Sequence, residues 1–420
     1  MFLKAVILIG GPLKGTRFRP LSLDVPKPLF PVAGLPMIQH HIEACTKVAN
    51  LGEILIIGSY LAQDLSQFIQ EMTSLYGLTI RYLQEFTPLG TAGSMYHFRD
   101  QIRSGGPTYF FIMNGDVCAD FPLQEIADFH ARKQALLTIM ATEATRQQSL
   151  NYGCMVLCKE GKVAHYVEKP STFVANLINC GVYLASPEIF QTMAVVFYMG
   201  KHQDNFMQLN GNGRDPAHIS LEQDILTRLA GGGRVFALPV LRWWSQVKTA
   251  GSAIYANRHY LDLYKNNNPD RLSPRNSGPC HIVGDVYIHP TATVHETAML
   301  GPNVSIGPNA VIGHGVRIRE SIVLDNAQIQ AHSIVLYSIV GRRSYVGEWA
   351  RVEGTPCDPN PNKPFAKMEN LPLFNTNGKL NPSISILGTS VCLASEKILL
   401  NCIVLPHKEL VNNFKNEIIL

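Results

Sequence analysis

The stretch MLGPNVSIGPNAVIGHGVRI, residues 299–318, places an aliphatic residue at every sixth position. The same period extends over two phased blocks, at Ile288, Val294, Leu300, Ile306, Ile312, Ile318 and Leu324, and then at Ile334, Val340, Val346 and Val352. Glycine follows several of these positions, at Gly301, Gly307, Gly313, Gly341 and Gly347. A sustained six-residue period is typical of a parallel β-helix, in which each short strand buries one aliphatic side chain. An ordinary meander of strands is the alternative, which so many phased positions disfavour.

The six-residue repeat is interrupted between residues 353 and 382 by a stretch rich in proline and asparagine. Loops longer than about 15 residues without their own structure are usually functional or disordered. The sequence becomes β-rich again at residues 384–405, which could supply the last coils. We therefore predict a β-helical domain over residues 281–420 with a long loop at 353–382. A segment rich in Asn, Pro and Ser, predicted to be a linker over residues 266–280, precedes it.

Upstream of this linker, residues 1–265 alternate short apolar strands with amphipathic helices. The predicted strands are residues 5–9, 54–57, 79–83 and 109–114, and the predicted helices include residues 38–48 and 64–75. This order predicts an α/β domain with a mixed, mostly parallel sheet covered by helices. Such sheets bind ligands at the carboxyl ends of their strands. The loops after Ile9 and Met113 are therefore where we expect chemistry.

Composition excludes several classes of protein. The formal net charge is only +4 and the 36 basic residues form no long run, so no nucleic-acid partner is expected. The nine cysteines are scattered without a CxxC pair, which favours reduced thiols in the cytoplasm over a zinc site or disulfide framework. The sequence shows neither the long apolar region of a signal peptide nor a stretch able to span a bilayer, so no membrane partner is expected.

The first loop has the composition of a phosphate-binding loop. It reads GGPLKGTRFRP over residues 10–20 and is followed by PKPL at residues 26–29. Glycines allow backbone amides to approach a phosphate closely, and Arg and Lys neutralise its charge. A glycine pair alone is a weak signal. Its combination with two arginines and a Pro-Lys-Pro sequence after a buried strand is much stronger.

Four further motifs complete a resemblance to the sugar-phosphate nucleotidyltransferases. They are LGTAG at residues 89–93, NGD at 114–116, VEKP at 167–170 and NCG at 179–181. The resemblance covers the whole chain and is greatest to the GDP-mannose pyrophosphorylases, including the tail VLPHK at residues 404–408. It implies that the β-helix is left-handed. It also implies a reaction in which a sugar 1-phosphate attacks the α-phosphate of a nucleoside triphosphate, which depends on positioning and charge neutralisation.

The resemblance assigns roles to particular residues. Arg19 would stabilise charge on the phosphates, Lys27 would hold them, Lys169 would hold the sugar phosphate and Asp116 would bind Mg²⁺. Glu85 is a hypothesis from chemistry, because a carboxylate can accept from both N1–H and the exocyclic amine of guanine. The complete predicted set for GDP-mannose is Gly10, Gly11, Glu85, Gly90, Thr91, Asn114, Asp116, Glu168, Lys169, Asn179 and Gln246.

Two departures from the family pattern bear on catalysis. Catalytic members have one residue between the glycine pair and Gly-Thr-Arg, whereas three residues, 12–14, intervene here, and Pro12 lacks an N–H donor. Catalytic members also carry Trp-x-Asp-Ile-Gly, whose Asp is the second metal ligand. The corresponding run here is WSQVK at residues 244–248, with Gln246 in place of that Asp. Mg²⁺ is usually held through one or two carboxylates, so we expect it not to be held tightly.

Three functions compete at this point. The first is a weakly active or inactive regulatory subunit of GDP-mannose pyrophosphorylase, which binds GDP-mannose and feedback-inhibits a catalytic β subunit. The resemblance to the family's α-type subunit implies this function, with a hetero-oligomer and a homo-oligomeric contact, and with the loop at 353–382 reaching the partner. The second is an active mannose-1-phosphate guanylyltransferase, and the third is a structural scaffold. Gln246 favours the first function over the second, and the retained Arg19, Lys27, Glu85 and Lys169 favour it over the third.

Simpler interpretations stay open for single features. Glu85 could be a solvated loop carboxylate, and the loop at 353–382 could be passively disordered. His40 and His41 lie in a predicted helix, where packing is a simpler role than binding a ligand.

Overall fold

The structure is a computed structural model, and it describes residues 2–13, 15–207, 218–274, 280–369 and 372–420, the side chains of 200–207 excepted. Part of the predicted linker (residues 275–279) and Lys14 of the first loop therefore lie outside the described residues. The chain forms two compact units. The sheet unit comprises Met1–Lys14, Ile38–Trp244 and Asn360–Lys367, and the β-helix unit comprises Gly15–Met37, Ser245–Pro359 and Met368–Leu420.

These compact units do not divide the chain at the predicted position, residue 265. The helix Ala250–Asn267 belongs to the β-helix unit, where the side chain of Asn257 accepts from the backbone N–H of Ala33 (2.8 Å) and the hydroxyl of Ser305 (2.6 Å). Arg258 on the same helix forms an ion pair with Glu320 at 3.1 Å. Polar contacts of buried side chains thus join this helix to the first coils. The domain boundaries predicted from composition stay predictions.

The helices cover mainly the sheet unit. They are α1 (Met37–Thr46), α2 (Ala62–Tyr76), α3 (Gly90–His97), α4 (Arg99–Arg103), α5 (Leu123–Lys133), α6 (Arg146–Ser149), α7 (Ile189–Met207), α8 (Thr227–Leu229) and α9 (Ala250–Asn267). Single turns of 3₁₀-helix lie at Thr16–Phe18, Lys27–Leu29 and Pro269–Arg271, and a π-helix at Leu221–Leu226. Among the described residues, no helix combines the length and apolar character needed to cross a membrane.

The predicted α/β order is confirmed in the sheet unit. Its strands, together with two short neighbouring hairpin strands, are β1 (Leu3–Gly10), β2 (Pro31–Val32), β3 (Leu35–Pro36), β4 (Leu51–Gly58), β5 (Thr79–Gln84), β6 (Tyr109–Asn114), β7 (Val117–Ala119), β8 (Leu137–Glu143), β9 (Gly153–Leu157), β10 (Val163–Glu168), β11 (Leu177–Ala185), β12 (Val235–Pro239) and β13 (Trp244–Gln246). All four strands predicted from apolar runs are present. Each is buried along most of its length, as expected of a sheet covered on both faces.

The main sheet has the order β10-β9-β11-β6-β1-β4-β5, and β8 pairs with both β11 and β12. The pairs of β1 with β4 and β6, and of β4 with β5, are parallel, whereas β11 runs antiparallel to β6 and β8. The sheet is therefore mixed and mostly parallel at its centre. Because β1, β4, β5 and β6 end on the same edge, the loops that follow them share one side of the sheet.

The remaining strands form three parallel sheets, the arrangement of a left-handed parallel β-helix. The first sheet contains β14 (His281–Ile282), β17 (Met299–Leu300), β20 (Arg317–Arg319), β23 (Ile334–Leu336), β26 (Arg351–Glu353), β29 (Ile398–Leu400) and β32 (Phe414–Lys415). The second contains β15 (Val286–Ile288), β18 (Val304–Ile306), β21 (Ile322–Val323), β24 (Ser338–Val340), β27 (Ser385–Leu387), β30 (Ile403–Val404) and β33 (Ile418–Ile419). The third contains β16 (Thr293–Val294), β19 (Val311–Ile312), β22 (Gln328–Ile329), β25 (Tyr345–Val346), β28 (Cys392–Leu393) and β31 (Glu409–Leu410).

The period of the coils changes once along the β-helix. Ile306 pairs with Ile288, 18 residues earlier, but with Val323, only 17 residues later. The predicted interior positions Leu324 and Ile334 are therefore wrong by one residue, because Val323 and Val335 belong to the central apolar cluster instead. Leu324 is buried outside that cluster, and Ile334 is half-buried. A coil one residue shorter moves every later interior position by one.

Glycine at the coil corners has a steric cause. A Cβ at Gly341 would lie 2.2 Å from the carbonyl oxygen of Gly388 in the next coil, and a Cβ at Gly347 would lie 2.5 Å from the backbone nitrogen of Ser395. Stacked coils thus approach each other so closely at these corners that no side chain fits. The glycines that follow the repeat positions confirm the expectation of small residues at the turns.

Candidate functional site

An open cavity of about 560 Å³, including solvent at its mouth, lies in the sheet unit at the carboxyl ends of β1, β4 and β5. Its lining residues are Leu8, Gly10, Gly11, Leu13, Ile57, Ser59, Glu85, Pro88, Gly90, Thr91 and Ser94. Five residues of the predicted set, Gly10, Gly11, Glu85, Gly90 and Thr91, therefore share one cavity. The location is the one expected for a ligand of a parallel sheet.

The two glycines that end β1 are required by the backbone. Gly10 has a φ of +65°, which favours glycine, and its carbonyl accepts from the backbone N–H of Ser59 at 2.8 Å. A Cβ on Gly11 would overlap the Ser59 hydroxyl oxygen at 1.8 Å. This wall of the cavity is therefore backbone rather than side chain. Leu13, in the lengthened part of the loop, also lines the cavity and is 81% exposed.

The carboxylate of Glu85 is held at the cavity wall from two directions. Its backbone N–H donates to the carbonyl of Gly58 at 2.7 Å, which fixes the residue just after β5. The hydroxyl of Ser94, on α3, donates to Glu85 Oε1. Glu85 is only 9% exposed, so the solvated loop carboxylate that the sequence left open is contradicted. A nearly buried carboxylate on a cavity wall is a strong hydrogen-bond acceptor for a ligand donor.

The turn that begins α3 is clamped by residues 219–222. Gly90 has a φ of +78°, and a Cβ there would lie 2.5 Å from the carbonyl oxygen of Ile219. That oxygen accepts from the N–H groups of both Ala92 and Gly93 at 3.0 Å. The hydroxyl of Thr91 donates to Glu222 Oε2 (2.9 Å) and accepts from the N–H of Leu221 (2.7 Å). The Thr91 hydroxyl is thus engaged within the protein, and its backbone is what it offers to a ligand.

A continuous chain of hydrogen bonds leads from Glu222 to Glu168. The hydroxyl of Tyr183 contacts Glu222 Oε1 at 3.3 Å, and Asn179 Nδ2 contacts the hydroxyls of Tyr183 (2.8 Å) and Tyr166 (3.1 Å). The hydroxyl of Tyr166 then donates to Glu168 Oε2 at 2.8 Å. Asn179, predicted to contact the ligand, therefore has its amide group engaged by protein partners. The structure makes it a residue that orients others.

Glu168 and Lys169 lie at the end of β10 in a constrained backbone. Lys169 has a φ of +46°, a left-handed conformation that is uncommon for a residue with a side chain. Its backbone N–H donates to the carbonyl of Tyr152 at 3.1 Å, and its ammonium lies 3.8 Å from Glu168 Oε1. The Lys169 side chain is 62% exposed. This arrangement leaves the lysine accessible to an anionic group while the neighbouring carboxylate is largely buried.

Asn114 and Asp116 follow β6 on the same edge of the sheet. A Cβ on Gly181 would lie 2.7 Å from Asn114 Nδ2, so the Asn114 side chain rests against that glycine. The carbonyl of Asn114 is 3.2 Å from His41 Nε2, and His41 is fully buried beside Phe121. The packing role expected for His41 is confirmed. Asp116 is half-buried, and its charge adds to burial in raising the pKa of Tyr152 to about 12.

Three predicted residues, Arg19, Lys27 and Gln246, belong to the β-helix unit. Arg19 is exposed after the 3₁₀ turn Thr16–Phe18. Lys27 places its ammonium 5.5 Å from the ring centre of Phe18, and its side chain runs beside Gly15. The Oε1 atom of Gln246 is buried and has no hydrogen-bond partner in the part of the chain that the structure describes. A buried acceptor of this kind is satisfied by a bound donor.

The donor set was tested for Mg²⁺ by its chemistry. Within the described ranges, no three His, Cys, Asp or Glu side chains come together where a metal ion could be held. At the position of the family's second carboxylate stands the neutral Gln246. Mg²⁺ demands hard, mostly anionic oxygens in near-octahedral geometry. The residues therefore do not fit a tightly held Mg²⁺, and no chemical step is derived through one.

The sequence gave no signal for one residue beside this region, Lys367 from the long loop. Its backbone N–H donates to Gln148 Oε1 (2.8 Å), and Gln148 Nε2 donates back to the Lys367 carbonyl (2.7 Å). Its ammonium donates to Thr142 Oγ1 at 3.3 Å and lies 6.0 Å from the ring centre of Trp244. Burial lowers the pKa of Lys367, against the raising effect of Cys180 and Glu143. Residues 360–367 are thereby anchored in the sheet unit.

Comparison with known proteins agrees with this site. The family model described as nucleotidyl transferase matches residues 4–215, and the one described as GMPPB C-terminal domain matches residues 282–419. Relatives named mannose-1-phosphate guanylyltransferase regulatory subunit alpha match over the full length of both chains. They come from Drosophila melanogaster at 63% identity and Rattus norvegicus at 54%. A Danio rerio relative, named regulatory subunit alpha-A, matches equally completely at 58%.

Proposed function

The chain belongs to the nucleotidyl transferase family, within the group of mannose-1-phosphate guanylyltransferase regulatory subunits alpha, and from this premise we propose that it binds GDP-mannose to restrain a catalytic β subunit. In this proposal the chain senses the product of the pathway. Its own guanylyltransferase activity is weak or absent. The proposal has three parts, which are ligand binding, impaired chemistry and communication with the partner.

The position of Glu85 carries the first part. Its nearly buried carboxylate stands on the wall of a cavity whose other walls are glycine backbone and the turn at residues 89–93. Guanine presents two adjacent donors, N1–H and the exocyclic amine, and a carboxylate accepts both. Adenine and the pyrimidines do not present this pair to a carboxylate. A buried site built around such a pair discriminates strongly against bases that lack it.

The donor set and the first loop support the second part. A metal ion contributes several kcal/mol of charge stabilisation to phosphoryl chemistry, and the residues here do not fit a tightly held one. Pro12 removes an amide donor from the lengthened loop, and displacements of about 1 Å at such a site can lower a rate about 100-fold. Binding a finished sugar nucleotide requires neither feature. The buried acceptor of Gln246 suits a hydroxyl donor of such a ligand.

The long loop is the proposed route to the partner subunit. Residues 360–367 lie in the sheet unit although the chain on both sides of them belongs to the β-helix unit. The segment is fixed by the Gln148 clasp rather than by its own secondary structure. We propose that GDP-mannose changes how this segment is held, so that the loop acts on the catalytic subunit. Such coupling is reciprocal, so the partner would also change the affinity for GDP-mannose.

The test is calorimetry of the purified chain alone against GDP-mannose, GDP-glucose and GTP, with and without Mg²⁺. The proposal expects tight binding of GDP-mannose that does not require the metal. A parallel assay with GTP, mannose 1-phosphate and Mg²⁺ expects little or no turnover. Robust turnover would falsify the regulatory assignment and establish an active guanylyltransferase. Absence of binding by all three nucleotides would leave a structural scaffold.

A further inference from the structure

The chain of hydrogen bonds between Glu222 and Glu168 has a fixed direction. Asn179 Oδ1 accepts from the backbone N–H of Gly181 at 2.9 Å, and this contact sets which end of the amide is nitrogen. Asn179 Nδ2 then donates to both tyrosine hydroxyls. Each hydroxyl accepts from the amide and has its own proton left to donate outward. Tyr183 donates to Glu222 and Tyr166 donates to Glu168.

Burial makes this arrangement stiff. Tyr183 is fully buried, Tyr166 is 5% exposed and Asn179 is 8% exposed. Burial also raises the pKa of both tyrosines, that of Tyr183 well above its ordinary value, so the hydroxyls remain protonated donors. Polar groups in such an environment keep their partners, because an unpaired one costs the full penalty of its desolvation. The two carboxylates at the ends of the chain are thereby oriented together.

Glu222 connects this chain to the nucleoside cavity. Its Oε2 accepts from the hydroxyls of Thr91 (2.9 Å) and Ser220 (3.0 Å), and the same Thr91 hydroxyl accepts from the N–H of Leu221. Glu222 lies in the π-helix Leu221–Leu226, and π-helical turns occur frequently at functional sites. Thr91 in turn lines the cavity that contains Glu85. One contact sequence therefore runs from the cavity turn to Glu168.

We propose that Glu222 and Tyr183 are positioning residues that couple the nucleoside turn to Glu168, so that the site selects a nucleotide joined to a sugar over the free nucleotide. This inference rests on the proposed binding of a sugar nucleotide. Neither residue needs to touch the ligand. Glu222 holds the turn that meets the base, and Tyr183, through Asn179 and Tyr166, holds the carboxylate assigned to the sugar.

The test compares Tyr183→Phe with Tyr76→Phe in the full chain. Both substitutions keep a ring and remove a hydroxyl that contacts a glutamate, since Tyr76 donates to Glu43 Oε1 at 2.8 Å away from the chain of contacts. Calorimetry with GDP and with GDP-mannose gives the ratio of the two affinities. Y183F is expected to lower that ratio about tenfold, the effect of one hydrogen bond to a charged group, with GDP affinity within about twofold. Y76F is expected to leave the ratio unchanged.

A second readout does not depend on ligand. Hydrogen exchange at the amides of Gly181 and Leu221 should accelerate together in Y183F and in Glu222→Gln, and in neither case in Y76F. Equal losses of GDP and GDP-mannose affinity, or an unchanged ratio in Y183F, would overturn the inference while leaving the proposed function standing. A wild-type chain that binds neither ligand would contradict the proposed function, and this inference with it.

Discussion

At the scale of the residue, single side chains decide what the site can recognise. Glu85 converts a glycine-walled cavity into one with a nearly buried acceptor, and Ser94 fixes that acceptor in place. Gln246 substitutes a neutral acceptor for a carboxylate, which favours binding a hydroxyl over holding a metal ion. Two residues thus separate recognition of a sugar nucleotide from its synthesis.

Replacing Glu85 by Gln tests the reader of the base. The amide presents one donor group and one acceptor, so it cannot accept both donors of guanine. We expect affinity for GDP-mannose to fall about 10–100-fold, as for loss of a charge-assisted hydrogen bond in a buried site. Calorimetry measures this, with Glu71→Gln on the exposed face of α2 as the matched control. An E85Q chain that binds GDP-mannose normally would contradict the assignment.

His130 provides a prediction about pH. It is fully buried between Thr138 (2.8 Å) and Ser186 (3.3 Å), and burial lowers its pKa from 6.5 to about 4. Below pH 6.5 the unfolded chain therefore binds a proton that the folded chain excludes. Stability is complete above pH 6.5 and is lost as the pH falls toward 4. Urea unfolding at several pH values should show a shallower decline for His130→Gln, and an identical slope would exclude this role.

At the scale of the element, short irregular segments position the site within regular structure. The register irregularity of β11 between Asn179 and Tyr183 contains Gly181, whose φ is +73°. Bulges of this kind re-aim the side chains around them, here toward Glu168 and Glu222. The π-helix after Ser220 and the segment 360–367 have comparable roles. Each is a departure from the local pattern that brings a distant residue to the cavity edge.

The Gln148 clasp predicts the behaviour of the loop segment. Gln148→Ala removes both hydrogen bonds to the Lys367 backbone, whereas Lys367→Met keeps them and removes only the ammonium. We expect Q148A to increase proteolytic cleavage within residues 360–367 severalfold, because cleavage follows the population of the open segment. K367M should leave cleavage nearly unchanged. Equal protection of the Q148A and wild-type chains would show that other contacts hold the segment.

At the scale of the whole molecule, the long loop is inserted between two coils of the β-helix without breaking it. Its ends are held together, since the N–H of Thr355 donates to the carbonyl of Ser383 at 2.9 Å. The strands on either side pair as in an uninterrupted helix, with Ile339 opposite Ile386. The loop can therefore be removed without altering the coils that precede and follow it.

This geometry defines the test of regulation. Residues between Thr355 and Ser383 are replaced by a short Gly-Ser linker, and the shortened chain is combined with the catalytic β subunit. We expect inhibition of the partner by GDP-mannose to be relieved, while calorimetry on the shortened chain shows GDP-mannose binding intact. A chain carrying Y76F serves as a control that leaves the loop in place. Inhibition that persists without the loop would refute its role as the route to the partner.

Much of this protein follows from sequence alone. The six-residue period, the corner glycines and the apolar runs of the central strands depend on neighbours close in the chain, so they can be recognised in sequence. Glu85 and the phosphate loop were found by motif and position. The one-residue phase error at Val323 arose because a single deletion in a corner leaves the apolar pattern almost unchanged.

Only the tertiary structure revealed the contacts that orient the site. Glu222 meets Thr91 across 131 residues of sequence, and Lys367 meets Gln148 across 219. Neither pair has a local signature, because a side-chain contact between distant segments depends on how the sheet and loops fold together. The sequence determined which chemistry is present. The fold decided which of those residues face the ligand and which, such as Asn179, hold the others in place.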